Sequence, residues 1–354
     1  MTILINTLSF LFIITILVVI HELGHFLAAK SIGLRVEKFY VGFNLFGLGL
    51  KKKINGTEFG IGLFPIGGYV KVAGMIDESL DDQYNGEPDE YISKSMFQKI
   101  WFTSGGVIFN FILAFMLFSG ITFFNGRTVP LDTTIIGKIV ENEPAYRAGL
   151  LDGDKIISID DVDVYTWDEI RININGKPNQ NIKLAYERNE KLFSTSILVS
   201  SILIPSGDSI GVIGIGPEFL KLNPGFFKST YYGFSDLLAW LSMMSQSIYS
   251  FFTGQLNIKN FGGPIQIASI AGEVTSIGII AFINFMAILS VNLGIINILP
   301  FPGLDGGHAL IAIIEGIIGR RIPFKTLMII QQIGVLLLGI FFLIIMKNDI
   351  SRLF

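Results

Sequence analysis

The chain has 354 residues, 51% of them apolar and only 16% charged, with a net charge of −3; a soluble chain carries about a quarter charged residues. A mean hydropathy of +0.59 and 31 phenylalanines argue for a membrane protein and against a soluble enzyme, an acidic disordered activator or a nucleic-acid binder. The absence of cysteine removes disulfides, a thiolate nucleophile, iron–sulfur clusters and Cys-ligated zinc, and three histidines leave few nitrogen ligands.

In chain order, residues 3–29 form a first stretch long and apolar enough to cross about 30 Å of hydrocarbon. They lack the basic start and small-residue exit site of a signal peptide. Residues 54–74, INGTEFGIGLFPIGGYVKVAG, alternate like a β-hairpin and are too apolar for an ordinary loop. A second span covers 104–124, where Asn110 is the one strongly polar residue. Residues 127–200 read as short β segments with polar turns, around PAYRAGLLDGDKIISID at Pro144 to Asp160. Residues 234–252 carry Asp236 and Gln246 among Leu, Trp and Met and read as an interfacial amphipathic helix. A third span covers 279–299 and a fourth 328–346. The expected fold is thus an α-helical membrane protein of about four spans, with a membrane-associated β-hairpin and an inserted β-rich domain. The expected divisions are 1–124 for the N-terminal membrane core, 125–205 for the β-rich domain, 206–278 for a linker with the amphipathic helix, and 279–354 for the C-terminal core. Lys and Arg crowd the loop between spans one and two and recur between spans three and four. By the positive-inside tendency both loops are cytoplasmic, with both termini and the 125–278 insert outside.

The strongest chemical signal is His21-Glu22-Leu23-Gly24-His25. Histidines at i and i+4 share one helical face, so both imidazoles reach one ion, and the intervening glutamate can take a proton from its water. Zinc suits this ligand set. Three ionisable groups inside an apolar span are costly and mark function. At about 1.5 Å per residue His21 lies roughly 27 Å along the first helix, in its cytoplasmic half. Two carboxylates compete to be the third ligand. Glu37 sits among Arg35 and Lys38 and reads as a solvated loop charge. Asp305 is the better choice: it closes NILPFPGLDGGH (Asn297 to His308), where Pro300 and Pro302 break the third span and glycines permit close approach. A buried aspartate there must find a cation or stay protonated, and a zinc ion on the first span supplies the cation.

Together these motifs, more than 270 residues apart, resemble the site-2 protease family of intramembrane zinc metalloproteases, and within it the bacterial regulator of sigma-E protease branch. The likeness extends to GGYVKV (Gly67 to Val72), a PDZ-type insert and Gly263-Pro264-Ile265. It implies that His21, His25 and Asp305 hold zinc and that Glu22 acts as general base, then general acid. Asn297 would contact substrate backbone or the developing oxyanion, or merely cap the broken helix. His308 would lie outside the ligand set. Residues 59–72 would form a membrane-reentrant β-loop, with Gly67 and Gly68 at its tight point, that captures unwound substrate by strand addition; an interfacial anchor is the plainer alternative. Pro300 and Pro302 join Asn297 in the expected substrate site. The PDZ unit would filter substrates outside the cytoplasm, and one such unit is present here where enterobacterial members have two. Ser104-Gly105-Gly106-Val107 departs from the Gly-Pro pair of many relatives, which bears on helix packing. The implied function is cleavage of single-span membrane proteins, anti-sigma factors or remnant signal peptides, already cut outside the bacterial cytoplasmic membrane. The implied partners are those substrates and the lipid bilayer, with no nucleic acid. A catalytically silent PDZ scaffold and a metal transporter are the alternatives from other classes. Intact Glu22 and a full ligand set argue against the scaffold, and a transporter would tolerate Glu22→Gln and has no need of a PDZ unit.

Overall fold

The computed structural model describes residues 2–44, 49–75, 86–203, 209–255 and 262–352. It divides into two compact units, Met1–Phe124 with Phe226–Phe354, and Asn125–Gly225. Residues 204–208 and 256–261, within the expected β-rich domain and linker, lie outside the described residues.

In the first unit four helices are long and apolar enough to cross a membrane: α1 (Thr2–Ser31), α2 (Met96–Asn125), α7 (Ile279–Ile298) and α9 (Phe324–Ser351). All four expected spans are present. At about 1.5 Å per residue the 30-residue α1 and α2 exceed the hydrocarbon thickness. The reach of α2 below the expected span follows from Ser95 and Gln98, which exchange hydrogen bonds as a capping box before the apolar run begins. Helices α1 and α2 cross at two glycines. A Cβ on Gly105 would come within 2.6 Å of the Gly24 carbonyl oxygen and 2.9 Å of the Ala28 Cβ, so their backbones touch as small residues in membranes allow.

Between α1 and α2 the chain forms β1 (Val36–Phe43), β2 (Gly49–Ile54), β3 (Thr57–Gly62) and β4 (Phe64–Val72). The sheet order is β2-β3-β1-β4, with β1 parallel to β3 and antiparallel to β4. This corrects the hairpin reading of 54–74: β3 and β4 do not pair, because β1 lies between them. The tight hairpin is β2–β3, turned at Asn55 and Gly56, both at positive φ. Glu37 and Lys38, expected in a solvated loop, lie in β1, whose Val36 and Tyr40 are buried. The Tyr40 hydroxyl donates to Glu58 at 2.5 Å, and burial with that neighbouring carboxylate pushes it up to about 12. Strand β4 pairs on one side only, leaving the other as a sheet edge among the described residues.

Helix α5 (Phe226–Phe252) starts eight residues before the expected amphipathic segment. Leu237, Trp240, Leu241 and Ile248 pack with Ala114 and Phe118 of α2 and with Ala287 and Val291 of α7. Helix α6 (Pro264–Ile277) packs on α1, where Gly272 meets Asn6 and Ser9 bonds Thr275 at 2.9 Å. Its N-terminus is capped from another helix: Asp349 of α9, 2% exposed, accepts N–H bonds from Gly263, Ile265 and Gln266 at 2.9–3.1 Å. Asp349→Ala strands these donors and is expected to cost about 1–3 kcal/mol, seen as a lower unfolding midpoint of the detergent-solubilised chain. Helix α7 ends before Pro300 and Pro302, Gly303 turns the chain at φ 95°, and α8 (Asp305–Ile318) starts on Asp305 itself.

The second unit holds β5 (Arg127–Pro130), β6 (Ile136–Ile139), α3 (Pro144–Arg147), β7 (Lys155–Ile159), β8 (Val162–Asp163), α4 (Trp167–Asn175) and β9 (Asn181–Arg188). Strands β10 (Lys191–Leu198), β11 (Ser200–Leu203), β12 (Ser209–Val212), β13 (Ile215–Pro217) and β14 (Phe219–Leu222) complete it. A sheet ordered β10-β9-β7-β8 carries the core of Ile156, Ile159, Ile182, Leu184 and Ile197, with Ile170 of α4 packed on it. The unit extends to Gly225 because β13 and β14 pair back with β6 and β5. Pro144 opens α3 and Gly149 follows it at positive φ, as the PAYRAG pattern suggests. Asp154, 1% exposed, accepts hydrogen bonds from Nε and Nη2 of Arg188 at 2.6 and 2.7 Å.

Candidate metal centre

Helical spacing in α1 places His21 and His25 one turn apart on the buried face, and the Pro-broken end of α7 delivers Asp305 opposite them. The two Nε2 atoms are 3.2 Å apart, and Asp305 Oδ2 lies 3.2 Å from that of His21 and 3.3 Å from that of His25. These three residues form the one cluster of potential metal ligands among the described residues. Glu37 and His308 stand outside it. The triangle's edges match one face of a tetrahedron around an ion with ligand bonds of about 2.0–2.1 Å, for which edges of about 3.3–3.4 Å are expected. Its chemistry agrees. His25 donates Nδ1–H to the Phe102 carbonyl at 3.0 Å, which turns a lone pair at Nε2 toward the Asp305 oxygen. Two acceptors facing each other in a buried site require a cation between them. The residues present fit a zinc ion.

Glu22 projects next to this triangle, and the Val70 main chain of β4 is among the groups that act on its carboxylate. Gly68 is where the strand passes the helix: a Cβ there would lie 3.3 Å from Val18 Cγ1 and 3.5 Å from Glu22 Cγ. Gly67, at φ 83°, sets the bend that permits this approach. The edge strand therefore runs past the carboxylate. Asn297 sits half-buried at the end of α7 and makes no side-chain hydrogen bond among the described residues. Pro300 is exposed, and Pro302 lies against Gly334 of α9.

His21, Glu22, His25, Asp305 and Gly68 thus converge, with Asn297, Pro300 and Pro302 on the segment that leads to Asp305. Sequence reasoning left out the wall behind them. Phe102, Gly106 and Asn110 of α2 face the two imidazoles, and a Cβ on Gly106 would fall 2.5 Å from His21 Cε1 and from His25 Nε2. Asn110, the lone strongly polar residue of its span, was the available signal. Also unforeseen was a cavity of about 420 Å³ between the end of β4 and α8, reached by Tyr91, His308 and Gln331. It holds an almost buried ion pair, Lys99 to Glu315 at 2.7 Å, and Glu315 also accepts from the Ile322 N–H at 3.0 Å.

Two imidazoles, an aspartate and an adjacent glutamate, set among helices fit to cross a bilayer, define a membrane-embedded metallohydrolase. The family model described as peptidase family M50 matches residues 9–341, and the chain belongs to that family, the site-2 proteases. A relative from Clostridium acetobutylicum is 32% identical over 335 residues, covering 95% of this chain and 94% of its own. Another from Rickettsia conorii is 32% identical across 99% of both chains. Zinc metalloprotease RasP of Shouchella clausii is 28% identical, covering 99% of this chain and 100% of its own. Among solved structures, the PDZ domain of the SdrC-like protein of Listeria monocytogenes aligns at 23% identity with 25% of this chain and 90% of that one, at a TM-score of 0.22. The protein is a multi-pass membrane metalloprotease with zinc as its cofactor.

Proposed function

We propose that this chain is an intramembrane endopeptidase that hydrolyses a peptide bond inside the membrane segment of single-span proteins. His21, His25 and Asp305 would hold the zinc ion. Zinc, when bound, supplies Lewis acidity to the attacking water and to the scissile carbonyl. Glu22 takes the proton of that water and returns it to the leaving amine. The single observation that carries this reading is the 3.2–3.3 Å triangle of ligand atoms beside a strand that has one unpaired edge among the described residues. A helical substrate hides its peptide bonds in its own hydrogen bonds, so the scissile stretch must be drawn out straight. The open side of β4 offers main-chain donors and acceptors for that stretch, and Gly67 and Gly68 let it lie close to Glu22. Asn297, whose amide is committed to no other group among the described residues, meets the polar demands of substrate backbone, and Pro300 and Pro302 keep its segment from continuing as helix.

The substrates are single-span proteins of the anti-sigma factor or remnant signal peptide kind, already trimmed outside. The Asn125–Gly225 unit, read as a PDZ domain from PAYRAGLLDGDKIISID, screens their outer ends. The Lys and Arg loops support an orientation with both termini and this unit outside the bacterial cytoplasmic membrane and the zinc site toward its cytoplasmic half. The test is cleavage of a model single-span protein by the full chain in bilayers, with the outer domain of the substrate either intact or removed. Cleavage of the trimmed form alone, stopped by a chelator and restored by zinc, is the expected result. Equal cleavage of both forms would defeat the trimming requirement, and cleavage indifferent to chelation would defeat the metal mechanism.

A further inference from the structure

We propose that Asn110 of α2 positions His21 for metal binding by accepting its Nδ1 proton, so that one face of α2 holds both imidazoles. The inference rests on the zinc-centre reading above and concerns how the ligands are held, which that reading leaves open.

His21 and His25 both turn Nε2 toward Asp305. A neutral imidazole that coordinates through Nε2 carries its proton on Nδ1, and the acceptor of that proton sets both tautomer and ring orientation. For His25 the acceptor is the main-chain carbonyl of Phe102, 3.0 Å away. For His21 the group in reach is the Asn110 carboxamide, whose Nδ2 stands 3.0 Å from Nδ1. In that orientation the amide donates to Nδ1, which leaves the ring proton on Nε2, in the direction of Asp305. Asn110 Oδ1 is then buried with no hydrogen-bond partner. A half-turn of the amide exchanges its oxygen and nitrogen at almost no steric cost. It gives the Nδ1 proton an acceptor and frees Nε2 to coordinate.

The surroundings fix Asn110 in place. Phe102, Gly106 and Asn110, spaced i, i+4 and i+8, lie along one helical face. Gly106 lacks the Cβ that would push α2 away from the rings. Ser290 of α7 donates its hydroxyl to the Asn110 main-chain carbonyl at 2.7 Å, and both residues are 0% exposed. Two spans therefore aim one carboxamide at one ring nitrogen. Leucine would fill the same space without an acceptor, whereas aspartate keeps the acceptor and loses the donor.

The experiment compares zinc affinity, by graded chelator competition on the purified full chain, for the native protein, Asn110→Leu and Asn110→Asp. Unfolding midpoints of the zinc-free forms are measured alongside, and cleavage is followed as separate kcat and KM. Asn110→Leu is expected to weaken zinc binding by about 10–100-fold with its zinc-free stability close to native, and Asn110→Asp to bind at least as tightly as the native chain. Native affinity in Asn110→Leu would overturn the proposal, including the case where kcat alone falls, because the asparagine would then act on substrate. Equal losses in the two variants would also overturn it, since a packing role does not distinguish acceptor from hydrocarbon. Failure of the underlying reading looks different: Asp305→Ala would retain zinc while the Asn110 variants follow no order.

Discussion

Glu22→Gln is expected to lower peptide-bond cleavage by about 10²–10⁴-fold while zinc stays bound. The reason is local. Glutamine keeps the size of Glu22, but it cannot hold a proton between attack and departure of the amine. The ligand triangle is left intact because Glu22 is not part of it. Zinc content by elemental analysis, beside cleavage of a single-span substrate by the same preparation, separates the two quantities. Undiminished cleavage would remove Glu22 from the chemistry and would revive a metal-handling role without hydrolysis. Loss of both zinc and cleavage would make Glu22 a ligand in place of a base.

Asp305→Ala is expected to release zinc, with affinity falling by more than about 100-fold, beyond the usual effect of changing a residue behind the ligands. Cleavage should fall with occupancy. Asp305 closes the triangle with both imidazoles, and its Oδ2 is buried with no hydrogen-bond donor to take the place of a cation. Two histidines one turn apart bind a divalent ion weakly without the third ligand. Chelator competition on native and variant protein checks this. Excess zinc should restore part of the activity if the variant still folds, whereas Glu22→Gln should not respond to zinc at any concentration.

The spans were readable because a bilayer imposes a length that few soluble segments reach, and α1, α2, α7 and α9 all meet it. His21, Glu22 and His25 were readable because helical spacing alone puts them together. Asp305 needed a second argument, that a carboxylate beside two helix-breaking prolines must be answered by positive charge. The sheet was harder. Charged Glu37 and Lys38 disguise β1 as a loop, and its parallel pairing with β3 depends on contacts that no local pattern encodes. Adjacency in sequence then suggested a β3–β4 hairpin that β1 in fact interrupts. Helix α6, at 14 residues, falls below the length that flags a span, and its cap comes from Asp349, over 80 residues away. The role of α2 behind the histidines was hidden for a similar reason: one of its two acceptors is a main-chain carbonyl, which every residue carries.

The separation of His21 and His25 from Asp305 along the chain has a consequence for biosynthesis. The paired imidazoles leave the ribosome before the aspartate, which follows 284 positions after His21. At about 5–20 residues per second, roughly 15–60 s pass before all three exist in one molecule. During that interval the nascent chain carries two of the three proposed ligands and lacks the third. On the proposed ligand set the zinc ion gains its third ligand only once the segment that carries Asp305 has been made, so a polypeptide halted before it binds the metal weakly.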